Sequence, residues 1–331
     1  MKICQKQGCL SILLVTLLFP GTQQAGSPED LPLSTRFKGT KTFHQIVKKA
    51  QDGDWASLPM GERVAKFGQE LHGKPYTSFT LEIDDHIEAP SVNLDGVDCW
   101  TFFEISLGLA RMVAQEKESY TPQDLLDEIE WTRYRGGVCT GDYLERIHYL
   151  AEWFFDNDAR GVVDDLTDEL GPTSRIQGRE CKEMTVLWKS YRYLKNNPEL
   201  LPKMGKLEKQ VSQLPVTYIP QSRVSSVEKK LQNGDIIGIV TKHEGGFCSH
   251  VGIAFRTQDG VMRLMHATTQ KPYRRVIYDK SISDYLKKFS SSIGILVGRP
   301  LDVEHTVRDR EVYRKNLRAT TGGKGLITLN P

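Results

Sequence analysis

The sequence has no Cys-x-x-Cys pair, no block of like charge and no internal repeat. Without the cysteine pair, neither a zinc ribbon nor a thioredoxin-type site is suggested. Without a charged block, neither nucleic acid nor an anionic membrane is implied as a partner. An apolar run of bilayer length is also lacking. The stretch from Leu10 to Phe19 is ten residues long, where a spanning helix needs about 20, so no stable membrane insertion is expected. The composition, 39% hydrophobic and 26% charged, is that of a folded chain.

The short apolar run has a different reading. Lys2 and Lys6 precede it, and the small-residue region Gly21 to Ala25 follows. That is the layout of a secretory signal peptide over 1–25, cleaved after Ala25, which predicts export to the periplasm or beyond. Cys4 and Cys9 come too early for a lipoprotein cysteine. Removing 1–25 takes away two of 44 basic residues and no acids, leaving 42 against 42. Cys99, Cys139, Cys181 and Cys248 remain. With one of them kept as a nucleophile, at most one intramolecular disulfide can form.

Residues 26–41 are polar and contain Pro and Gly, and read as a linker opening an extension over 26–60. Val64, Phe67 and Leu71 share a face of a predicted helix from Gly61 to Leu71, closed by His72-Gly73-Lys74-Pro75. An extended segment, Tyr76 to Ile83, follows. From Cys99 to Val113 apolar residues run almost all round, which predicts a buried helix, with Asp98 as its N-cap. Residues 121–213 read as a helical insertion, its most amphipathic piece running from Tyr143 to Phe155. After Pro220 strands are expected at Ile236–Val240, His250–Phe255, Val261–Met265 and Ile293–Val297. The catalytic domain is placed at 61–300, and 301–331 reads as a polar surface tail.

Cys99 opens the buried helix, where the positive end of the helix dipole favours a thiolate. The bases available to it are His250 and His266, on the two arms of a hairpin. A two-residue Asp259-Gly260 loop would put them on opposite faces. A three-residue loop, Gln258 to Gly260, would set His266 opposite Gly252 and on the face of His250. With that loop the three residues make a nucleophilic triad: Cys99 attacks an amide, His250 exchanges the proton and His266 orients His250. The backbone N–H of Cys99 and the hydroxyl of Tyr76 are candidate oxyanion donors. Neither metal nor cofactor is required. A competing zinc site of His243, Cys248, His250 and His266 matches no common ligand spacing and leaves Cys99 unexplained. Glu104, inside the buried helix, needs a partner, and an Arg is expected.

Gly73-Lys74-Pro75-Tyr76, Asp98-Cys99, His250-Val251-Gly252 and His266-Ala267, in that order, resemble the NlpC-type superfamily of cell-wall cysteine peptidases and amidases. The resemblance implies an α+β, papain-like core: a nucleophile helix packed on an antiparallel sheet that bears the histidines. Thr101, Phe102 and Glu104 after Cys99, then Arg133-Tyr134-Arg135, Arg146-x-His148-Tyr149 with Trp153, Gly234 to Ile237 and Gly294 to Arg299, look like the N-acetylmuramoyl-L-alanine amidase-like branch. It implies hydrolysis of the muramoyl–L-alanine amide in peptidoglycan fragments, anhydro-muropeptides above all, through a thioester. Arg133, Tyr134, Arg146 and Trp153 become candidate substrate contacts, by sugar stacking and by Arg hydrogen bonds. Two other readings differ: a γ-D-glutamyl–diaminopimelate endopeptidase acting on stem peptides, and an inactive cell-wall-binding module. Trp100 stands where that family usually has a smaller residue, and Cys248 falls two positions before His250.

Overall fold

A computed structural model of the protein describes residues 26–322. The expected signal peptide, 1–25, lies outside the described residues, as does 323–331. The longer helices are α1 (Thr40–Asp52), α2 (Met60–Glu70), α3 (Cys99–Val113), α4 (Pro122–Arg133), α5 (Leu150–Ala159), α6 (Leu201–Val211) and α7 (Arg310–Thr320). Single helical turns fill much of the chain between them. The strands are β1 (Phe37–Lys38), β2 (Val92–Asn93), β3 (Val163–Asp165), β4 (Ser174–Arg175), β5 (Thr217–Pro220), β6 (Ile236–Thr241), β7 (Cys248–Arg256), β8 (Met262–Ala267), β9 (Val276–Ser281) and β10 (Ser292–Pro300). β1 and β2 form a short parallel pair. The rest make one antiparallel sheet in the order β4-β5-β10-β6-β7-β8-β9, with β3 also paired to β10. The architecture is mixed α+β.

The sheet is covered on both faces, and β6 shows how. Ile236 and Val240 point into the large core that contains α3, while Ile237 and Ile239 point into a second cluster. That second cluster is closed by Val224 and Val227 of one short helix and Ile282 and Leu286 of another. Period-two alternation thus buries every residue of the strand.

α3 begins at Cys99 and ends at Val113, and packs against α2, α4, β7 and β8. Phe102, Phe103, Ile105, Leu107 and Leu109 have no exposed surface. Each such burial is worth about 1.5–3 kcal/mol, so the helix is anchored by its surroundings rather than by its own propensity. Asp98 starts it with a reciprocal cap. Its carboxylate accepts the Thr101 N–H at 2.7 Å, and its own N–H donates to the Thr101 hydroxyl at 3.0 Å.

Residues 26–60 and 301–322 are more structured than their polarity suggests. In α1, Phe43, Ile46, Val47 and Ala50 form an i, i+3, i+4, i+7 stripe buried in the main core. Residues 40–52, inside the expected linker and extension, are therefore a core helix. Beyond Pro300, α7 packs on α5, buries Leu317 and hydrogen-bonds Asp156 through the Tyr313 hydroxyl at 2.5 Å. The expected surface tail carries a docked amphipathic helix because one apolar and one aromatic side chain find partners.

Within 121–213 helical turns alternate with the strands β3 and β4, both of which join the sheet. The amphipathic piece forms a helix over Leu150–Ala159, not from Tyr143; Tyr143–Glu145 is a single 3-10 turn. Tyr143 is instead stacked on Tyr193 with ring centroids 4.4 Å apart and donates to Glu82 at 2.6 Å. Those tertiary partners outweigh its place in the periodic pattern.

Candidate active site

β7 and β8 are joined by the three-residue loop. Ile253 pairs with Met265, and the Thr257 N–H donates to the Val261 carbonyl at 3.0 Å. This register sets His266 opposite Gly252, and His250 and His266 share a face. Their rings meet edge to face with centroids 4.8 Å apart, and His250 Nε2 and His266 Nδ1 are 2.6 Å from each other. A bulge at Ser249 shifts the register just before His250, where Ile239 pairs with His250 but Val240 pairs with Cys248.

Cys99 opens onto the same cleft as His250. The cleft has a volume of about 150 Å³ and is also lined by Trp100, His148, Tyr191 and Phe247. The Val251 N–H is directed at the Cys99 sulfur, which brings the thiol to the strand position next to His250. The thiol makes no hydrogen bond to His250 among the described residues. His250 Nε2 is engaged by His266, so Nδ1 is the ring nitrogen left for the sulfur.

The electrostatics correct one expectation. Burial and the neighbouring Asp98 push the Cys99 thiol up to about 12, against the N–H groups of Val251, Cys99 and Trp100, which pull it down. Desolvation of the thiolate and the Asp98 charge outweigh these N–H groups. Burial and the adjacent His266 hold the His250 imidazole well below its ordinary value, and Asp279 opposes them. Both shifts favour the uncharged forms, the thiol of Cys99 and the neutral imidazole of His250.

Tyr76 is tied in from both sides. Its N–H donates to the Arg274 carbonyl at 2.9 Å, and its backbone bridges Val97, two residues before Cys99. Burial, Cys99 and Asp98 all push its phenol upward, so the hydroxyl stays protonated and able to donate.

The four residues expected to contact substrate are interior. Arg133 is 1% exposed, Tyr134 and Trp153 0% and Arg146 4%, which leaves them no surface to offer a sugar. Arg133 Nε donates to Glu104 Oε2 at 2.7 Å and its Nη1 to the Ser91 carbonyl at 2.9 Å. Glu104 therefore has an arginine partner, and that partner is Arg133. Arg146 pairs with Glu82 at 3.3 Å and Glu88 at 3.4 Å. The Tyr134 hydroxyl donates to Glu88 at 2.7 Å, and Trp153 packs edge-on against Phe103 at 5.0 Å. Arg133 and Trp153 fasten the insertion to α3, Tyr134 and Arg146 fasten it to the segment of Glu82 and Glu88, and together they hold the cleft wall that carries His148.

Trp100 and Cys248, the two departures noted in the sequence, both line the cleft. Cys99, Cys139, Cys181 and Cys248 are all free. Among the described residues no group of three or more His, Cys, Asp or Glu is gathered as metal ligands would be, and His243 is exposed.

One residue escaped the sequence reading. Asp279 on β9 places Oδ2 3.5 Å from His266 Nε2, and its other oxygen receives Lys288 Nζ and, at 2.6 Å, the Lys280 N–H. The signal was available: Val276-Ile277-Tyr278 is a β-branched and aromatic run just after the turn-forming Lys271-Pro272.

Residues 66–295 match the family described as AmiA-like, N-acetylmuramoyl-L-alanine amidase-like. A crystal structure of an N-acetylmuramoyl-L-alanine amidase from Bacteroides uniformis is 30% identical with a TM-score of 0.65, covering 73% of this chain and 99% of that one. A Bacteroides fragilis protein described provisionally as a xylanase is 32% identical with a TM-score of 0.63, covering 71% and 99%. The Legionella pneumophila protein LPG0564, of family DUF1460, shares the fold at 20% identity with a TM-score of 0.59, covering 78% and 94%. No curated protein matches the chain. Among the described residues no helix is long and apolar enough to cross a membrane.

Proposed function

Because the chain belongs to the AmiA-like family of N-acetylmuramoyl-L-alanine amidase-like proteins, which implies a peptidoglycan substrate, we propose that it is an exported cysteine amidase of the NlpC type, with a papain-like arrangement of helix and sheet. It cleaves the amide between the muramic lactyl group and L-alanine in small anhydro-muropeptides. The observation that carries this reading is the 2.6 Å contact of the buried His266 with His250, which lines a cleft together with Cys99.

As the Cys99 sulfur attacks the carbonyl carbon, His250 Nδ1 takes the thiol proton. The neutral resting pair makes this transfer part of the attack rather than a step before it. The oxyanion is held by the Cys99 N–H and the protonated Tyr76 hydroxyl. His250 then gives the proton to the departing amine of L-alanine, the C–N bond breaks, and the lactyl group remains on sulfur as a thioester. A water that gives its proton to His250 attacks the thioester and frees the sulfur. The half-buried aromatic residues Trp100 and Tyr191 on the cleft are suited to the faces of a sugar ring.

The test is incubation with an anhydro-muramyl disaccharide tetrapeptide, with products weighed by mass spectrometry and the Cys99→Ala variant alongside. Free disaccharide and intact tetrapeptide, absent from the variant, are expected. Scission inside the peptide would show an endopeptidase instead. Undiminished cleavage by Cys99→Ala would end the cysteine mechanism.

A further inference from the structure

We infer that Asp279 is a positioning residue that sets, through two successive imidazoles, which nitrogen of His250 is free to act as base. The inference rests on the cysteine-amidase reading for its consequence in turnover, and on geometry alone for the protonation pattern.

His266 is fully buried, and its Nε2 has no hydrogen-bond partner within normal bonding distance. The group that faces this nitrogen is the Asp279 carboxylate, at 3.5 Å. A lone pair aimed at an anion is repelled and an N–H is attracted, so Nε2 of His266 carries the proton. Its Nδ1 is then an acceptor. At 2.6 Å from that acceptor, His250 Nε2 must be a donor. With its proton on Nε2, His250 has a bare Nδ1, the nitrogen that the Cys99 thiol needs. The chain of dependence has no free choice once Asp279 is ionised, and the Lys288 ammonium and Lys280 N–H on its other oxygen keep it so. Asp279 touches neither the sulfur nor the cleft, whose lining does not include it.

The same contacts dictate what an amide would do. In Asp279→Asn, Lys288 and Lys280 can only donate, so they claim the amide oxygen. The amide NH₂ is then turned toward His266 Nε2 as a donor. His266 Nε2 must accept, its proton moves to Nδ1, and Nδ1 donates to His250 Nε2. The proton of His250 is forced onto Nδ1, where it blocks the thiol. One substitution with no change of shape reverses both tautomers.

The experiment uses the full chain labelled with ¹⁵N-histidine, with ring tautomers read from two- and three-bond ¹⁵N–¹H correlations at neutral pH, beside turnover of the muropeptide. The wild type is expected to show Nε2–H at both His250 and His266. Asp279→Asn is expected to show Nδ1–H at both and to lose kcat by on the order of 10²–10⁴-fold, with unfolding temperature retained. Asp279→Glu, which restores an acceptor, should recover the wild-type tautomers and part of the rate. Wild-type tautomers in Asp279→Asn would overturn the inference whatever the turnover. Reversed tautomers with undiminished turnover would overturn its catalytic half. A wild type that cleaves nothing but shows the expected tautomers would count against the proposed reaction and leave the role of Asp279 standing.

Discussion

Gly252 lies so close to His266 that a Cβ at position 252 would stand 3.0 Å from the Cβ of the histidine. The same atom would be 2.8 Å from both Leu264 Cδ1 and the Met265 carbonyl oxygen. A side chain end can move aside, but a strand carbonyl cannot. Gly252→Ala should therefore spread β7 from β8 at the point where the two histidines touch. The expected cost is about 1–3 kcal/mol of stability by chemical denaturation, with a larger proportional loss in kcat than in KM. A variant with wild-type turnover would show that the histidine spacing tolerates more than the geometry suggests.

The neutral thiol has a kinetic signature. With Cys99 pushed up to about 12 by burial and Asp98, alkylation by iodoacetamide should be slow at neutral pH. It should climb through pH 9 without a plateau, because each pH unit adds thiolate in proportion. A plateau beginning near pH 6 would reveal a preformed thiolate–imidazolium pair and contradict this reading. The acid limb of kcat/KM reports the imidazole. His250 is held well below 6.5 by burial and His266, with Asp279 opposing, so activity should persist on acidification to below pH 6.5 before protonated His250 removes the base.

The ion pair between Glu104 and Arg133, 2.7 Å apart and wholly interior, ties α3 to α4. Glu104→Ala leaves a buried guanidinium without its counter-ion and should cost about 3–5 kcal/mol in urea or guanidinium unfolding. Adding Arg133→Leu removes the stranded charge, so the double variant should be more stable than Glu104→Ala alone. Additive losses would mean that the two side chains act independently.

What could be read from the sequence was local. Asp98 and the apolar residues after it announce the limits of the Cys99 helix, since a cap and a buried stripe are both written in neighbouring positions. Loop parity reduces the hairpin register to two alternatives, and the pairing of Thr257 with Val261 is what selects the three-residue loop. Other features depend on contacts distant in sequence. Arg133 looks identical on paper whether it reaches for a sugar or for Glu104, 29 positions away. Asp279 belongs to a strand whose partner, β8, precedes it by a turn, and its meaning appears only when His266 is seen beside it. Cys99 illustrates the limit best. The helix N-terminus is legible in the sequence, but the burial that raises the thiol appears only in the folded cleft.

The contact between the insertion and the segment of Glu82 and Glu88 carries a pH dependence of its own. Glu88 accepts the Tyr134 hydroxyl and pairs with Arg146, yet burial outweighs these and, with Glu82 nearby, raises its carboxyl to about 7. In the unfolded chain a glutamate titrates near about 4.3. Between those values the folded state binds more protons than the unfolded one, so this group's contribution to stability falls as pH rises. The contribution is complete below about pH 4.3 and is lost through pH 7. Glu88→Gln keeps an acceptor for Tyr134 and cannot ionise. The unfolding temperature of the variant minus that of the wild type should therefore increase steadily from pH 5 to pH 8. A difference that stays flat would mean that Glu88 titrates normally, and one that falls would mean that its ionised form, paired with Arg146, is the stabilising one.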